Sequence, residues 1–302
     1  MTSTDVLDPS APLLPGEPAV GGRSLRGAVR DFWGNRTGVI GVALIVLMLL
    51  FSFVGPLLYP TDQIHPNLLQ VTKPPSAQFP LGTDQVGFNV LGRLMVAGQS
   101  TLEVGLAAAV IATLVGTLWG AVAGFIGGWV DSAMMRIVDA LLAIPALLLI
   151  LLLTTVVTPS VVMVIIVLGL ISWLITARLV RGQVLVIKSL DYVHAARQMG
   201  ERSWRIITTH LVRNVIGLVV VQATFEVANA ILLFAALSFL GLGPPPPATN
   251  WGGMLNDGLN YVFDGYWWLI YPAGLCIVIT VVAFNMIGDA IRNSLEVRLS
   301  KR

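Results

Sequence analysis

Residues 191–214 read DYVHAARQMGERSWRIITTHLVRN, a polar stretch set between long apolar runs. The fold turns on how this island is carried. Asp191 is a good helix N-cap and Gly200 a good stop. Between them Tyr192, Ala195, Ala196 and Met199 recur at i, i+3, i+4 and i+7, one face of a short helix, while His194, Arg197 and Gln198 point elsewhere. Ser203 can then cap a second helix through Trp204, Ile207 and Leu211, giving a helix–turn–helix elbow along the membrane surface. The small apolar face, with two adjacent alanines, suits entry into a groove on another protein. The competing reading is an amphipathic helix resting on lipid headgroups. Against it stands the small bulk of that face, one tyrosine and one methionine.

The surroundings of the island are membrane-like. Of 302 residues, 56% are hydrophobic and 11% charged, with a mean hydropathy of +0.83; soluble domains carry about 25% charged residues. A helix crossing hydrocarbon needs ~20 mostly apolar residues. Six segments meet that length, roughly 37–58, 101–126, 134–157, 161–180, 216–241 and 268–290. The expected fold class is therefore all-α, a polytopic membrane protein with six transmembrane helices. It divides the chain into an N-terminal tail (1–36) whose first 25 residues read as disordered, a first helix with an extracytoplasmic segment (37–100), a core (101–290) carrying the loop 181–215, and a C-terminal tail (291–302). The first apolar run starts too late and is too long for a signal peptide.

Placing both termini in the cytoplasm puts 16 of the 18 Lys and Arg residues inside and leaves Lys73 and Arg93 outside. The reverse orientation inverts that count, against the positive-inside rule. The expectation is a multi-pass cell-membrane protein, in contact with lipid and with no nucleic-acid partner, whose 191–214 loop is cytoplasmic.

Within the spans, Gly116, Gly120, Gly124 and Gly128 form a small-xxx-small stripe for close helix packing, within the chain or between subunits. Pro145 is expected to kink the third span. Glu226, with Gln222 one turn before it and Asn229 three residues after, sets a polar stripe at membrane depth. A face on a transport pathway and a hydrogen-bonded brace between helices both account for it. Asp139, three residues after Arg136, reads as a local ion pair, and His65 as an isolated, solvated side chain. The single Cys276 excludes a disulfide within the chain and reads as a packing residue. H-E-x-x-H, G-x-S-x-G and the phosphate-binding G-x-x-x-x-G-K-[ST] are absent from the sequence. No catalytic residue, metal ligand or cofactor is expected on this chain. A secondary transporter would carry inverted repeats, and no internal repeat is visible.

The loop, with Ala195, Ala196 and Gly200 as AAxxxG followed by His210, Leu211 and Asn214, resembles the cytoplasmic loop of ABC importer permeases. LGTD (81–84), GGWVD (127–131), MRIVDALLAIP (135–145), ARLVRGQVL (177–185), SFLGLG (238–243), NWGGML (250–255) and AFNMIGDAIRN (283–293) are similar to the peptide/nickel branch. More narrowly they resemble the second, C-type permease of dipeptide and oligopeptide importers. The resemblance implies a type I ABC importer permease fold and a transport subunit without catalysis of its own. It implies as partners a second homologous permease, two ATPase subunits that hold ATP and Mg2+, and an extracytoplasmic binding protein. The implied cargo is a di- or oligopeptide, with nickel or another small chelate as the alternative. The coupling helix implied is Asp191–Gly200, with Tyr192, Ala195, Ala196 and Met199 as contacts and His194 and Arg197 beside them. The sequence departs from the family pattern at His194 in place of Glu, Arg213 in place of Pro, Phe88-Asn89 in place of Arg-Asp, and Phe234 in place of Glu. His194 fits either a solvent-side change or an ATPase contact that titrates near neutral pH.

Overall fold

The structure, a computed structural model, describes residues 25–156 and 160–300. The expected disorder at the start of the N-terminal tail and the expected turn at Thr158–Pro159 lie outside the described residues. After α1 (Leu25–Gly34), the Asn35 side chain accepts a hydrogen bond from Thr37 N at 3.0 Å and caps α2 (Arg36–Leu49). A π-turn (Leu50–Val54) and α3 (Gly55–Leu58) complete the first span. The π-turn has a local cause. Pro56 has no N–H to offer the carbonyl of Ser52, and Gln99 Nε2 from the next span donates to that carbonyl at 2.9 Å instead.

The second span is α4 (Val90–Ile126), 37 residues or about 55 Å long, well beyond a hydrocarbon core of about 30 Å. The expected start near 101 is thereby corrected. Asn89 accepts from Gly92 N at 3.2 Å and caps the helix before any of the apolar run begins. Gly127 and Gly128, at φ +74° and +59°, then turn the chain into α5 (Gly128–Leu142).

The third segment bends sharply at Pro145. α5 and α6 (Ala146–Val156) meet at an 84° bend, because Pro145 cannot donate to the turn before it and the chain leaves the helix ahead of it. Among the described residues five helices are long and apolar enough to cross a membrane, and six if the bent pair makes one crossing.

Ser160 Oγ accepts from Met163 N at 3.1 Å and starts α7 (Val161–Lys188), which runs past its apolar stretch. There follow α8 (Asp191–Gln198), α9 (Ser203–Ile206), a second π-turn (Ile207–Leu211) and α10 (Val212–Phe239). α11 (Trp251–Leu259), a short 3-10 turn and α12 (Tyr271–Ser300) complete the chain.

The most extensive packing in the molecule joins α4 to α7. A Cβ built on Gly116 would stand 2.6 Å from the Trp173 carbonyl, one on Gly120 still closer to the Ala177 carbonyl, and one on Gly124 2.9 Å from Val184 Cγ1. Glycine is what lets the two backbones touch. Gly128, expected in the same stripe, is not part of it. It lies beyond the helix end at positive φ with open space where a Cβ would go. α10 packs across both α4 and α7, and α12 lies against α2 and α10.

At the end remote from α8, two buried indoles fasten the connecting segments. Trp251 Nε1 donates to Leu94 O at 3.0 Å and Trp268 Nε1 to Thr83 O at 3.2 Å.

Gly120→Val should therefore destabilise the protein by about 2 kcal/mol or more, because the group it would strike is backbone and cannot move aside. Gly182→Ala, on the same helix pair but with nothing near its Cβ position, should leave the melting temperature in detergent unchanged or raise it slightly.

Candidate functional site

The short helix α8 has one buried face and one exposed face. Leu190, not Asp191, occupies the N-cap, and it makes no side-chain capping bond. Asp191 instead sits in the first turn, where a carboxylate meets the positive end of the helix dipole. The helix stops as the sequence suggests. Gly200 takes φ +79° while Glu201 N donates to Ala196 O and Gly200 N to Arg197 O, both at 3.0 Å. That pair of bonds is the Schellman closure, which favours glycine at this position.

The inner face of α8 is Val193 and Ala196, both buried. Val193 packs with Val180, Val184 and Ile187 at the end of α7 and with Ile206, Leu211 and Val215 at the entry to α10. The face expected to be offered outward is therefore split. Ala196 turns into the protein, while Tyr192 (36% exposed), Ala195 and Met199 (81% exposed) face solvent together with His194 and Arg197. Sequence reading passed over Val193. It stands three residues before Ala196, so the same helical spacing pairs the two, and a β-branched residue beside polar neighbours was the available sign. Asn214 Nδ2 donates to the Tyr192 hydroxyl at 3.2 Å, tying α8 to the first turn of α10. Arg213 is exposed beside it.

Charged ties hold α7 near the same end. Arg181 donates through Nε and an Nη to both oxygens of Asp131 on α5, at 2.5 and 2.7 Å. Lys188 Nζ donates to the Phe125 carbonyl at 2.6 Å, one of the unsatisfied carbonyls at the end of α4. Asp139 does not pair with Arg136 as expected from their spacing. Its partner is Arg178, 2.5 Å away on α7.

At membrane depth the polar stripe divides. Glu226 is buried between helices at 2% exposure, with the side chains of Asn229, Ser172 and Gln222 around its carboxyl group. Its Oε1 has no hydrogen-bond partner. Gln222 is half-buried, and Asn229 lies on the exposed surface of α10.

The opposite end is built around Asp84. Its Oδ1 accepts from Phe88 N at 2.9 Å and Val86 N at 3.0 Å, and its Oδ2 lies 3.4 Å from Arg93 Nε on α4. Burial pushes this carboxyl above the usual range, against the pull of those donors. Arg93 lies over the Phe88 ring at 4.7 Å. Phe234 is wholly buried, in one cluster with Ala230 and Leu237. Both phenylalanines that depart from the family pattern thus have packed environments. His65 is not isolated: its Nδ1 is 2.9 Å from Asp62, whose carboxyl is held down at about 2, first by the backbone N–H of His65. Phe263 stands 98% exposed in the loop before α12, next to the stacked Tyr261, Tyr266 and Trp268. Among the described residues no group of three or more His, Cys, Asp or Glu is placed to hold a metal ion.

Comparison with known proteins adds the following. A family described as binding-protein-dependent transport system inner membrane component matches residues 116–301, and one described as N-terminal TM domain of oligopeptide transport permease C matches residues 24–75. The chain is 37% identical over 274 residues to the oligopeptide transport system permease protein OppC of Bacillus subtilis, covering 91% of this chain and 90% of that protein. It is 38% identical over 267 residues to the dipeptide transport system permease protein DppC of the same bacterium, covering 88% and 83%. With the OppC protein of Escherichia coli it shares 39% identity over 280 residues, 92% of each chain.

The two ion pairs on α7 should behave differently. Asp131→Asn removes a bidentate partner that is 11% exposed and should cost about 2 kcal/mol. Asp139→Asn acts on a pair that is half-exposed on both sides and should cost no more than about 0.5 kcal/mol. Thermal unfolding of the two variants in the same detergent checks the contrast.

Proposed function

The chain belongs to the family of binding-protein-dependent transport system inner membrane components, and on that premise we propose that it conducts peptides as one of two permeases in an ATP-driven importer. It is a multi-pass membrane protein with the type I ABC importer permease fold, and its relatives are permease components of oligopeptide and dipeptide transport systems. In the proposed assembly a second, homologous permease completes the pathway. Two ATPase subunits hold ATP and Mg2+ and carry out the hydrolysis, and an extracytoplasmic binding protein delivers the peptide. The orientation proposed is both termini and α8 in the cytoplasm, where Lys and Arg are concentrated.

The observation that carries this reading is the two-sidedness of α8. Val193 packs against the ends of both α7 and α10, so the exposed face of the helix, Tyr192, Ala195 and Met199, is presented in a fixed position. A short helix whose free side sets a small residue, Ala195, between Tyr192 and Met199 fits a cleft in a neighbouring subunit. The ATPase cleft is the proposed seat, with Asp191, His194, Arg197 and Gly200 at its rim. Closure of the ATPase pair on ATP then moves α8, and that movement passes into the membrane-spanning bundle. At membrane depth an exposed amide is costly against lipid, which supports placing Asn229, with Gln222 behind it, on the pathway between the two permeases. Glu226, buried beside Ser172, serves as the brace that keeps α10 in register with α7.

Ala195→Trp should block the seat without disturbing the fold, because that side chain is free. The expected result is an unchanged melting temperature for the isolated chain, with ATPase co-purification and ATP-dependent peptide uptake in proteoliposomes each lowered about tenfold or more. Normal assembly and uptake with tryptophan at this position would overturn the docking reading.

A further inference from the structure

α8 touches two spans, yet it is joined to them unequally. α7 is held firmly from its other side. Gly116, Gly120 and Gly124 seat it against the backbone of α4, Arg181 chelates Asp131 on α5, and Lys188 grips the last carbonyls of α4. To move α7, a push from α8 would have to move α4 and α5 as well.

α10 enters the bundle differently. It follows a π-turn, Ile207–Leu211, that interrupts the regular hydrogen bonding between α9 and α10. Such turns are rare, pack one residue more into a helical turn, and are frequent at functional sites. Immediately after that turn, Asn214 donates its hydrogen bond to Tyr192 on α8. From Asn214 the helix continues without a break to Phe239. Fifteen residues along it, or about 22 Å at the α-helical rise, stands Asn229, the exposed polar side chain at membrane depth.

We infer that Asn214 is a positioning residue for transport: its bond to Tyr192 makes α10, rather than α7, follow the movement of α8. The inference rests on α8 being the element that ATPase subunits move. Val193 packs in one apolar cluster with residues of both α7 and α10 and so does not favour either span. The Tyr192–Asn214 bond is directional and reaches α10 alone. With the π-turn as the joint, a displacement of α8 is delivered at the first turn of a rigid rod whose far part lines the pathway. α7, α4 and α5 are then the fixed frame against which that rod shifts.

The test uses the complete importer, this chain with its partner permease and ATPase subunits, in liposomes with its binding protein. A labelled dipeptide is the probe. Asn214→Leu removes the bond. The expected outcome is a complex that assembles and hydrolyses ATP but consumes at least about fivefold more ATP per dipeptide imported. Asn214→Asp keeps an acceptor for the Tyr192 hydroxyl and should restore the ratio. Tyr192→Phe deletes one oxygen from a surface side chain, carries the test if Asn214→Leu fails to assemble, and should raise the ratio by itself. The double variant should be no worse than either single one. A merely structural role would lower the yield of complex while leaving ATP per dipeptide unchanged, and that result overturns the inference. Should the unmodified chain fail to assemble with ATPase subunits at all, it is the reading under Proposed function that fails, since the ratio is measured only in complexes that form.

Discussion

The contact between α4 and α7 is the constraint on which the rest of the structure depends. Inside a bilayer, lipid tails are as apolar as the side chains they meet, so helices gain little from burying leucine against leucine. What favours association is close approach, and Gly116, Gly120 and Gly124 bring α4 to within van der Waals reach of the α7 backbone. Once that pair is set, each other element has a place relative to it. α10 lies across both helices, α5 is held by the Arg181–Asp131 pair, and the cytoplasmic-type loop that carries α8 leaves from the projecting end of α7. The exposed apolar rows that remain, such as Leu106, Val110, Leu114, Leu118 and Val122 along α4, are the surfaces that a membrane or a second permease would cover.

Much of this was legible in the residues. Span positions follow from apolar length alone, and the end of α8 follows from Gly200 because only glycine takes its positive φ without strain. The parts that were not legible share a reason: each depends on a partner distant in sequence. Nothing near residue 90 announces a helix start except Asn89, since Gly92, Arg93, Gly98 and Gln99 break up the apolar pattern of its first turns, which are largely buried against other protein segments. Pro145 announced a disturbance, but whether a proline kinks a helix or ends it is decided by what receives the freed groups. Asp139 has Arg136 one turn away, yet Arg178 on the neighbouring helix meets it. At α8 the two alanines looked equivalent from spacing. The cluster under the helix separates them, because Val193 fixes the rotation and carries Ala196 inward.

The site inherits its properties from this arrangement. A short polar helix of eight residues has little intrinsic stability in water; buried contacts on one side and the Schellman closure hold it. The same contacts leave the opposite side free, so stability and presentation come from one feature. Glu226 shows a parallel division within α10, where the carboxyl is buried against α7 and Asn229 on the same stripe stays at the surface. Buried and exposed polar residues alternate along the helix instead of being segregated into separate elements.

The central claim is that the outer face of α8 is solvent-exposed in the isolated chain and covered by an ATPase subunit in the assembled importer. Cysteine at position 199, in a chain whose only native cysteine is the buried Cys276, allows that to be measured by the rate of maleimide labelling. The account requires rapid labelling of the isolated chain and strong protection once ATPase subunits are bound. Equal labelling rates in the two states would contradict it.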